Sequence, residues 1–279
     1  MEPSSESKAT GAAGGARGLL RAAGSFAMLQ LSAAAFGITL LILIAATRLL
    51  WPDDAALPRY DALFLAAIAI QIGLLASGLE TWEEAKVIFA FHAVGTVMEL
   101  FKTASGAWIY PEDSVLRIGQ VPLFTGFMYS AVGSYIARSW RLLRLELSGY
   151  PSHIAAGLLA AAIYVNFFAH HYVWDWRLVL FAATAILFWR CQARARVSDL
   201  TLRFPLLALF LGVGVLIWIA ENVATAANIW LYPSQQNGWR PVSSAKIGSW
   251  FLLMIVSFVL VSTLHSPEKR RESLAQSGS

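Results

Sequence analysis

Apolar residues dominate this chain in runs that are long for a soluble protein, and short polar breaks separate them. Eight stretches reach roughly membrane-spanning length, at about 27–50, 61–79, 86–102, 119–138, 153–173, 177–195, 204–226 and 246–265. A helix needs about 20 apolar residues to cross a hydrocarbon core, so the pattern predicts an all-α, polytopic transmembrane bundle of about eight helices. Residues 1–24, rich in Gly, Ala and Ser, are expected to form a disordered tail, and 266–279 a polar basic one. The membrane domain spans 25–265. Its first apolar run is too long for a signal-peptide core and is read as a retained helix.

Composition agrees with the pattern. The 279 residues are 57% hydrophobic and 14% charged, with mean hydropathy +0.59, which places the chain outside the usual soluble range. The net charge of +4 reads as a topology signal rather than a nucleic-acid footprint. Arg138, Arg141 and Arg144, then Arg190, Arg194, Arg196 and Arg203, fall in loops on the same side as both tails. The positive-inside rule makes that side the cytoplasm, so both termini are expected there, in a bacterial inner membrane. The opposite side is aromatic. The acidic loop from Glu80 to Lys86 is read as a solvated face. The single cysteine, Cys191, excludes an intramolecular disulfide and is expected to be inert.

One segment occurs twice. Glu99 precedes Trp108-Ile-Tyr110-Pro111 by nine residues, and Glu221 precedes Trp230-Leu-Tyr232-Pro233 by the same distance. Thr103-Ala104 and Thr225-Ala226 match at that offset of 122. Tyr60-Asp61 matches Trp174-Asp175, and Arg117-Ile-Gly119 matches Lys246-Ile-Gly248. The offset changes only in loops, where length changes are tolerated. The expectation is two parallel four-helix pseudo-repeats, about 25–145 and 150–265, related by an axis along the membrane normal.

A carboxylate inside an apolar run costs several kcal/mol unless it faces protein or a water-filled cavity. Glu99 and Glu221 are therefore the first candidate catalytic residues. An alternative is that each accepts hydrogen bonds from its own Trp-x-Tyr loop or a neighbouring helix. His92, Gly95 and Glu99 share a helix face. His92 accompanies only the first copy; Asn222, Gln235 and Gln236 accompany only the second. His171 and Asp175, four apart, form the next acid–base pair. With His170 they are the grouping closest to a metal site, but no metal or other cofactor is assigned. Trp108, Tyr110, Asn222, Trp230, Tyr232, Gln235 and Gln236 are the candidate substrate contacts. No nucleophile elbow, P-loop or HExxH is present, and five histidines are too few for a di-iron desaturase.

Two resemblances follow from these residues. The run Leu79-Glu-Thr-Trp-Glu-Glu-Ala-Lys86 with Phe91-His92, Gly95, Glu99, Lys102 and Trp108-x-Tyr-Pro-Glu112 resembles the uncharacterised YoaT-like integral membrane family. Asn166-Phe-Phe-Ala-His170-His171, Trp218-Ile-Ala-Glu221-Asn222 and Lys246-Ile-Gly-Ser-Trp250 extend that likeness over roughly residues 50–265. The order His92, Gly95, Glu99, Trp108-x-Tyr-Pro and Gly119-x-Val-Pro122 is similar to membrane carotenoid hydratases and cyclases. Those cyclases' Pro-x-Glu-Glu/Asp motif is not matched, since the chain reads Pro111-Glu112-Asp113. This second likeness implies an enzyme that protonates a lipid or isoprenoid inside the bilayer. The competing expectation is a proton-coupled small-molecule transporter or channel. The expected partners are the bilayer and such a lipid, with no nucleic acid; oligomeric state is not legible.

Overall fold

The computed structural model describes residues 21–264, apart from 53, 171, 198 and 199. Its helices are α1 (Arg21–Ala33) and α2 (Ala35–Leu50), bent by 65° at their junction, then α3 (Arg59–Ala76), α4 (Trp82–Ala104) and α5 (Thr125–Leu142). After these come α6 (His153–Ala169), α7 (Arg177–Phe188), α8 (Leu206–Ala226) and α9 (Lys246–Leu264). Among the described residues, four helices (α3, α4, α8 and α9) are long and apolar enough to cross a membrane, or five if the α1–α2 pair is one span. This is the construction of a multi-pass membrane protein.

Each of the eight apolar stretches holds helix, but the bounds differ by several residues, as at α4 and α5, the first stretch is divided between α1 and α2, and one difference is larger. The stretch 177–195 is not one helix. α7 ends at Phe188, and Gln192–Val197 form strand β4. Twelve residues rise only about 18 Å, less than a hydrocarbon core of about 30 Å. The chain reads Gln-Ala-Arg-Ala-Arg-Val here, and this alternation buries Ala193, Ala195 and Val197 while turning the polar residues away. β4 pairs antiparallel with β3 (Glu146–Ser148) and β5 (Leu200–Pro205), and Arg196 binds Glu146 at 3.0 Å. The buried face packs on Phe26 and Leu29 of α1. A periodicity of two inside an apolar run was the overlooked strand signal.

A second difference lies at the α3–α4 turn. Glu80 and Glu84, expected in a solvated loop, are buried, and only Glu83 and Lys86 of that loop form an exposed pair. Thr81 and Glu84 make a capping box at the start of α4: Glu84 N–H donates to Thr81 Oγ1 at 3.3 Å, and Thr81 N–H to Glu84 Oε2 at 2.8 Å. Glu84 also pairs with Arg141 at 2.8 Å. Glu80 accepts from Ser134 and, at 2.6 Å, from Gln71. Arg138, read as a loop charge, is fully buried and donates to Leu79 O at 2.7 Å and Ser32 O at 2.6 Å.

Cys191 sits between α7 and β4 with no exposed surface, and burial pushes its thiol up to about 11. At pH 8 roughly one thiol in a thousand is then ionised. Iodoacetamide is expected to leave the folded protein unlabelled at pH 8 and to label it on unfolding. Rapid labelling of the native form would contradict this.

The packing of the helices has a regular plan. α2 lies on α3 as α6 lies on α7; α4 on α5 as α8 on α9; α2 on α5 as α6 on α9. Among the described residues, α2 with α8, α4 with α6, and α5 with α9 are the main helix contacts that join the two sets. A short β-ribbon, β1 (Arg117–Ile118) with β2 (Val121–Pro122), leads into α5.

Candidate functional site

Both copies of the repeated segment end their helix in the same way. Gly106 adopts φ +70° and Asn228 φ +60°, the left-handed conformation that closes a helix C-terminus. Ala107 N–H returns to Lys102 O at 2.9 Å, and Ile229 N–H to Ala224 O at 3.0 Å. Glycine is the usual residue there; asparagine is the side chain that tolerates it best. The turn folds each Trp-x-Tyr-Pro strand back along its own helix. Ile109 and Leu231, equivalent positions of the two copies, then form a two-bond bridge of 3.0 and 2.9 Å. Trp108 meets Tyr232 edge to face at 6.1 Å. The two loops thus clasp each other.

α3 fastens the clasp from the side. Arg59 binds Glu112 through two bonds of 2.7 and 2.5 Å and donates to Ala227 O at 2.9 Å. Tyr60 donates to Ile229 O at 2.8 Å. Buried Asp61 accepts from Ser114 Oγ at 2.6 Å and from the N–H groups of Val115 and Leu116 at 2.8 and 3.0 Å. Glu112 is thereby committed to Arg59.

The returning aromatics reach the glutamates. Glu99 is 2% exposed and accepts from Trp108 Nε1 at 2.8 Å, Tyr110 Oη at 2.6 Å and Tyr129 Oη at 2.7 Å. Glu221 is 3% exposed and accepts from Tyr232 Oη at 2.5 Å and Trp250 Nε1 at 2.9 Å. Each carboxylate therefore takes one tyrosine from its own loop and one aromatic donor from the helix packed alongside, α5 or α9. Donors from the residue's own loop and from a neighbouring helix are thus present at both glutamates.

They nevertheless face a common space. A cavity of about 1050 Å3 is lined by Glu99, Glu221, Trp108, Trp230, Tyr232, Tyr129 and Trp250, with an extended apolar wall from α2, α5, α8 and α9. That volume lies at the upper end of small-molecule sites, about 300–1,000 Å3. Lys102, Arg177, Lys246, Asn166 and His170 also line it.

Other expected site residues lie elsewhere. His92 is not in the cavity wall; its ring packs on Phe127 at 4.6 Å in the α4–α5 interface. It shares a helix face with Glu99, but that face is filled by α5. Tyr110 stands behind Glu99, against Tyr60. Asn222 clips its loop, donating to Trp218 O at 2.8 Å and accepting from Val242 N–H at 2.9 Å. Gln235 is buried and donates to Arg240 O at 2.6 Å, while Gln236 is exposed. Asp175 accepts from Arg177 N–H at 3.0 Å and Asn166 Nδ2 at 3.3 Å, and pairs with the Arg177 side chain at 3.0 Å. Partial burial acts against its charge, but these donors hold its carboxyl below the usual range. His171 lies outside the described residues. Among the described residues no group of three or more His, Cys, Asp or Glu could hold a metal ion.

Lys102, Tyr129, Arg177, Lys246 and Trp250 are among the cavity residues that sequence reading did not select. Lys102 had a signal, a second charge three residues beyond Glu99 in the same apolar run. Tyr129 owes its position to Gly95: a Cβ there would come within 2.6–2.8 Å of the tyrosine ring. Gly95→Ala is expected to displace Tyr129 and cost about 1–3 kcal/mol by overpacking. Gly73→Ala, with nothing within 4 Å, is the control. Equal thermal midpoints for the two variants in detergent would contradict the assignment.

Fold and site together define a multi-pass helical membrane protein with two hydrogen-bonded carboxylates on one largely apolar cavity. The chain belongs to the family described as "Protein of unknown function (DUF817)", which matches residues 23–258. "Uncharacterized protein YoaT" of Bacillus subtilis (strain 168) is 44% identical over 220 residues, covering 79% of this chain and 83% of that protein. Among solved structures, MvINS, a mycobacterial Insig homologue from Mycobacterium vanbaalenii, matches with a TM-score of 0.49 and 15% identity over 67% of this chain and 97% of that one. A cross-linked trimer of MvINS matches equally.

Proposed function

We propose that this protein is an intramembrane enzyme acting on a lipid or isoprenoid, with Glu99 and Glu221 as its acid–base groups. The observation that carries this reading is that both carboxylates line one large apolar cavity. A carboxyl whose hydrogen-bond partners are tyrosine hydroxyls can exchange a proton through them, because a hydroxyl both donates and accepts. Trp108, Trp230, Tyr232 and Trp250 offer aromatic faces that stabilise a developing cation. His92 and His171 have no part in this version of the mechanism, and the similarity to carotenoid hydratases and cyclases rests on the region from His92 to Pro122.

The proposed architecture is eight helices in two four-helix halves, α2–α5 and α6–α9, around a pseudo-two-fold axis through the Ile109–Leu231 bridge. The matched helix pairings support it, since α2 with α8 and α6 with α4 are images of one another. The short α7 then reaches only part of the way across. The arginine-rich loops favour a bacterial cytoplasmic membrane with both termini inside.

The test is the membrane lipid and pigment profile of cells expressing wild type, Glu99→Gln and Glu221→Gln beside a deletion strain. A wild-type-specific product lost in both variants is expected. Identical profiles in wild type and deletion would remove the enzymatic reading. A proton-coupled transporter is the second reading, favoured by the cavity's position between the proposed halves. It requires pH-gradient-dependent flux in proteoliposomes that both variants abolish.

A further inference from the structure

The cavity wall is continuous along α8. Ala208, Gly212, Leu216, Ala220 and Ala224 line it one turn apart, so a band of that helix runs beside the space for about 24 Å. Glu221 stands near one end of this band. At the other end Phe26 of α1 meets Phe204 at 5.9 Å, and one turn along α1 Gln30 accepts from Tyr135 Oη at 2.9 Å.

Part of this lining is also outer surface. Leu216 is 62% exposed, Leu31 56% and Ile38 37%, and Ala208 and Gly212 are exposed as well. They come from two sides, Leu31 and Ile38 from the bent α1–α2 pair and the other three from one edge of α8. A residue that lines a cavity and also reaches the surface borders an opening, so a slit lies between α1–α2 and α8. Gly212 keeps it wide, since a Cβ there would meet nothing within 4 Å. All five bordering residues are apolar. A second opening has a different character. Ser243 and Ala245, exposed in the loop before α9, line the cavity beside Lys246. Lys246 lies over the ring of Tyr232, which donates to Glu221, so this mouth is at the carboxylate end.

We propose that the slit is a lateral portal through which an uncharged, long-chain lipid enters from the bilayer, to lie along α8 with its reacting end at Glu99 and Glu221. This rests on the reading of the cavity as a lipid site and narrows its substrate class. A charged head drawn through an apolar slit would lose its hydration with nothing to replace it, which selects against ionic lipids at the entrance. An extended chain advances about 1.2 Å per bond, as a backbone does, so a wall of about 24 Å takes about 20 carbons. Bilayer and cavity are similarly apolar, so affinity comes from packing against α8 and from the polar end of the lipid, not from removal of water. The mouth at Ser243 is left to water.

The test uses the full-length protein in phosphatidylcholine nanodiscs. Stopped-flow quenching of tryptophan by a dibromo-octadecanol reports entry, since Trp108, Trp230 and Trp250 line the cavity. The cavity signal is the part that excess octadecanol removes. Gly212→Phe is expected to slow association at least tenfold while changing the affinity less than threefold. Gly157→Phe, on α6 away from the cavity and also with nothing within 4 Å, should leave the rate unchanged, as should Ala245→Phe at the mouth. Ala208→Phe, one turn along the same edge, repeats the test should Gly212→Phe fail to fold, which circular dichroism reports. A wild-type rate in both slit variants would refute the portal, and slowing by Ala245→Phe instead would move entry to the mouth; either leaves the lipid site standing. Weakened affinity at an unchanged rate would place Gly212 in the seat and also refute the portal. A dibromo-octadecyl sulfate that enters as fast as the alcohol would refute the exclusion of charge. Decanol should compete at least tenfold less well than octadecanol, and equal competition would refute the seat along α8. Quenching that octadecanol cannot remove from the wild type would overturn the lipid site itself.

Discussion

Arg138→Met is expected to be among the most destabilising single substitutions in the chain, at about 3–5 kcal/mol. The guanidinium has no exposed surface, and its donors go to Leu79 O, Ser32 O and Ser32 Oγ at 2.7, 2.6 and 3.1 Å. Glu80, also buried, lies 3.9 Å away. Removing the arginine takes a donor from Ser32 O and one of two from Leu79 O, which Arg141 also reaches at 2.8 Å, and leaves a buried carboxylate without its counter-charge. The loss also removes the tie between α5 and Ser32 of α1 and weakens the one to the α3–α4 turn, where Ser134 and Arg141 still hold Glu80 and Glu84. Unfolding followed by circular dichroism in detergent measures the effect. The double variant Glu80→Gln/Arg138→Met should recover a large part of the loss, because a neutral amide needs no counter-charge. Glu83→Ala, which breaks only an exposed pair, should cost no more than about 1 kcal/mol. A similar midpoint for Arg138→Met and Glu83→Ala would refute the network's importance.

That network also shows where the fold was legible in the sequence and where it was not. Helices 3, 4, 8 and 9 were readable because twenty or so apolar residues allow little else in a membrane protein. Charges at the run ends were assigned to loops for the same reason. Arg138 defeats that inference because its partners, Glu80 and Ser32, sit far away in sequence on other elements. A buried ion pair is a tertiary fact, and hydropathy counts only its cost. The sheet was missed differently. Gln192 to Val197 follow an apolar helix with no proline or glycine between them, so the run read as continuous although its alternation had changed.

The site was half legible. The repeated Glu and Trp-x-Tyr-Pro segment pointed to two carboxylates, and both lie on one cavity. The helical spacing that joined His92 to Glu99 was correct, but it could not say that α5 would occupy that face. Gly126 admits the His92 ring there, as Gly95 admits Tyr129. Tyr129 and Trp250 lie outside the repeat's offset, so the periodicity that exposed the glutamates hid their partners. Asn222 and Gln235 were chosen for their polarity, but their hydrogen bonds serve the backbone of their own loops.

Glu99→Ala is expected to cost more than Glu221→Ala, although the repeat makes the two residues formally equivalent. Three aromatic donors end on Glu99, from Trp108, Tyr110 and Tyr129, and two on Glu221. Each hydrogen bond to a charged group contributes roughly 1.5–3 kcal/mol, and a donor left buried without a partner adds a penalty of its own. Partial offset comes from removing a desolvated carboxylate, so a net loss of about 3–4 kcal/mol at Glu99 and about 2 kcal/mol at Glu221 follows. Position reinforces the difference. Trp108 stands against Tyr232, and Ile109 bridges Leu231, so releasing the first loop from Glu99 loosens the second as well. At each site one donor, Tyr129 on α5 or Trp250 on α9, stays held by its helix, so the first loop loses two anchors and the second loop one. Thermal unfolding of both variants, with cysteines placed at Ile109 and Leu231 and their cross-linking rate as a second readout, measures the asymmetry. Slower cross-linking in Glu99→Ala than in Glu221→Ala is expected; equal midpoints and equal rates would show that the clasp is held by α3 through Arg59 and Asp61 and not by the carboxylates.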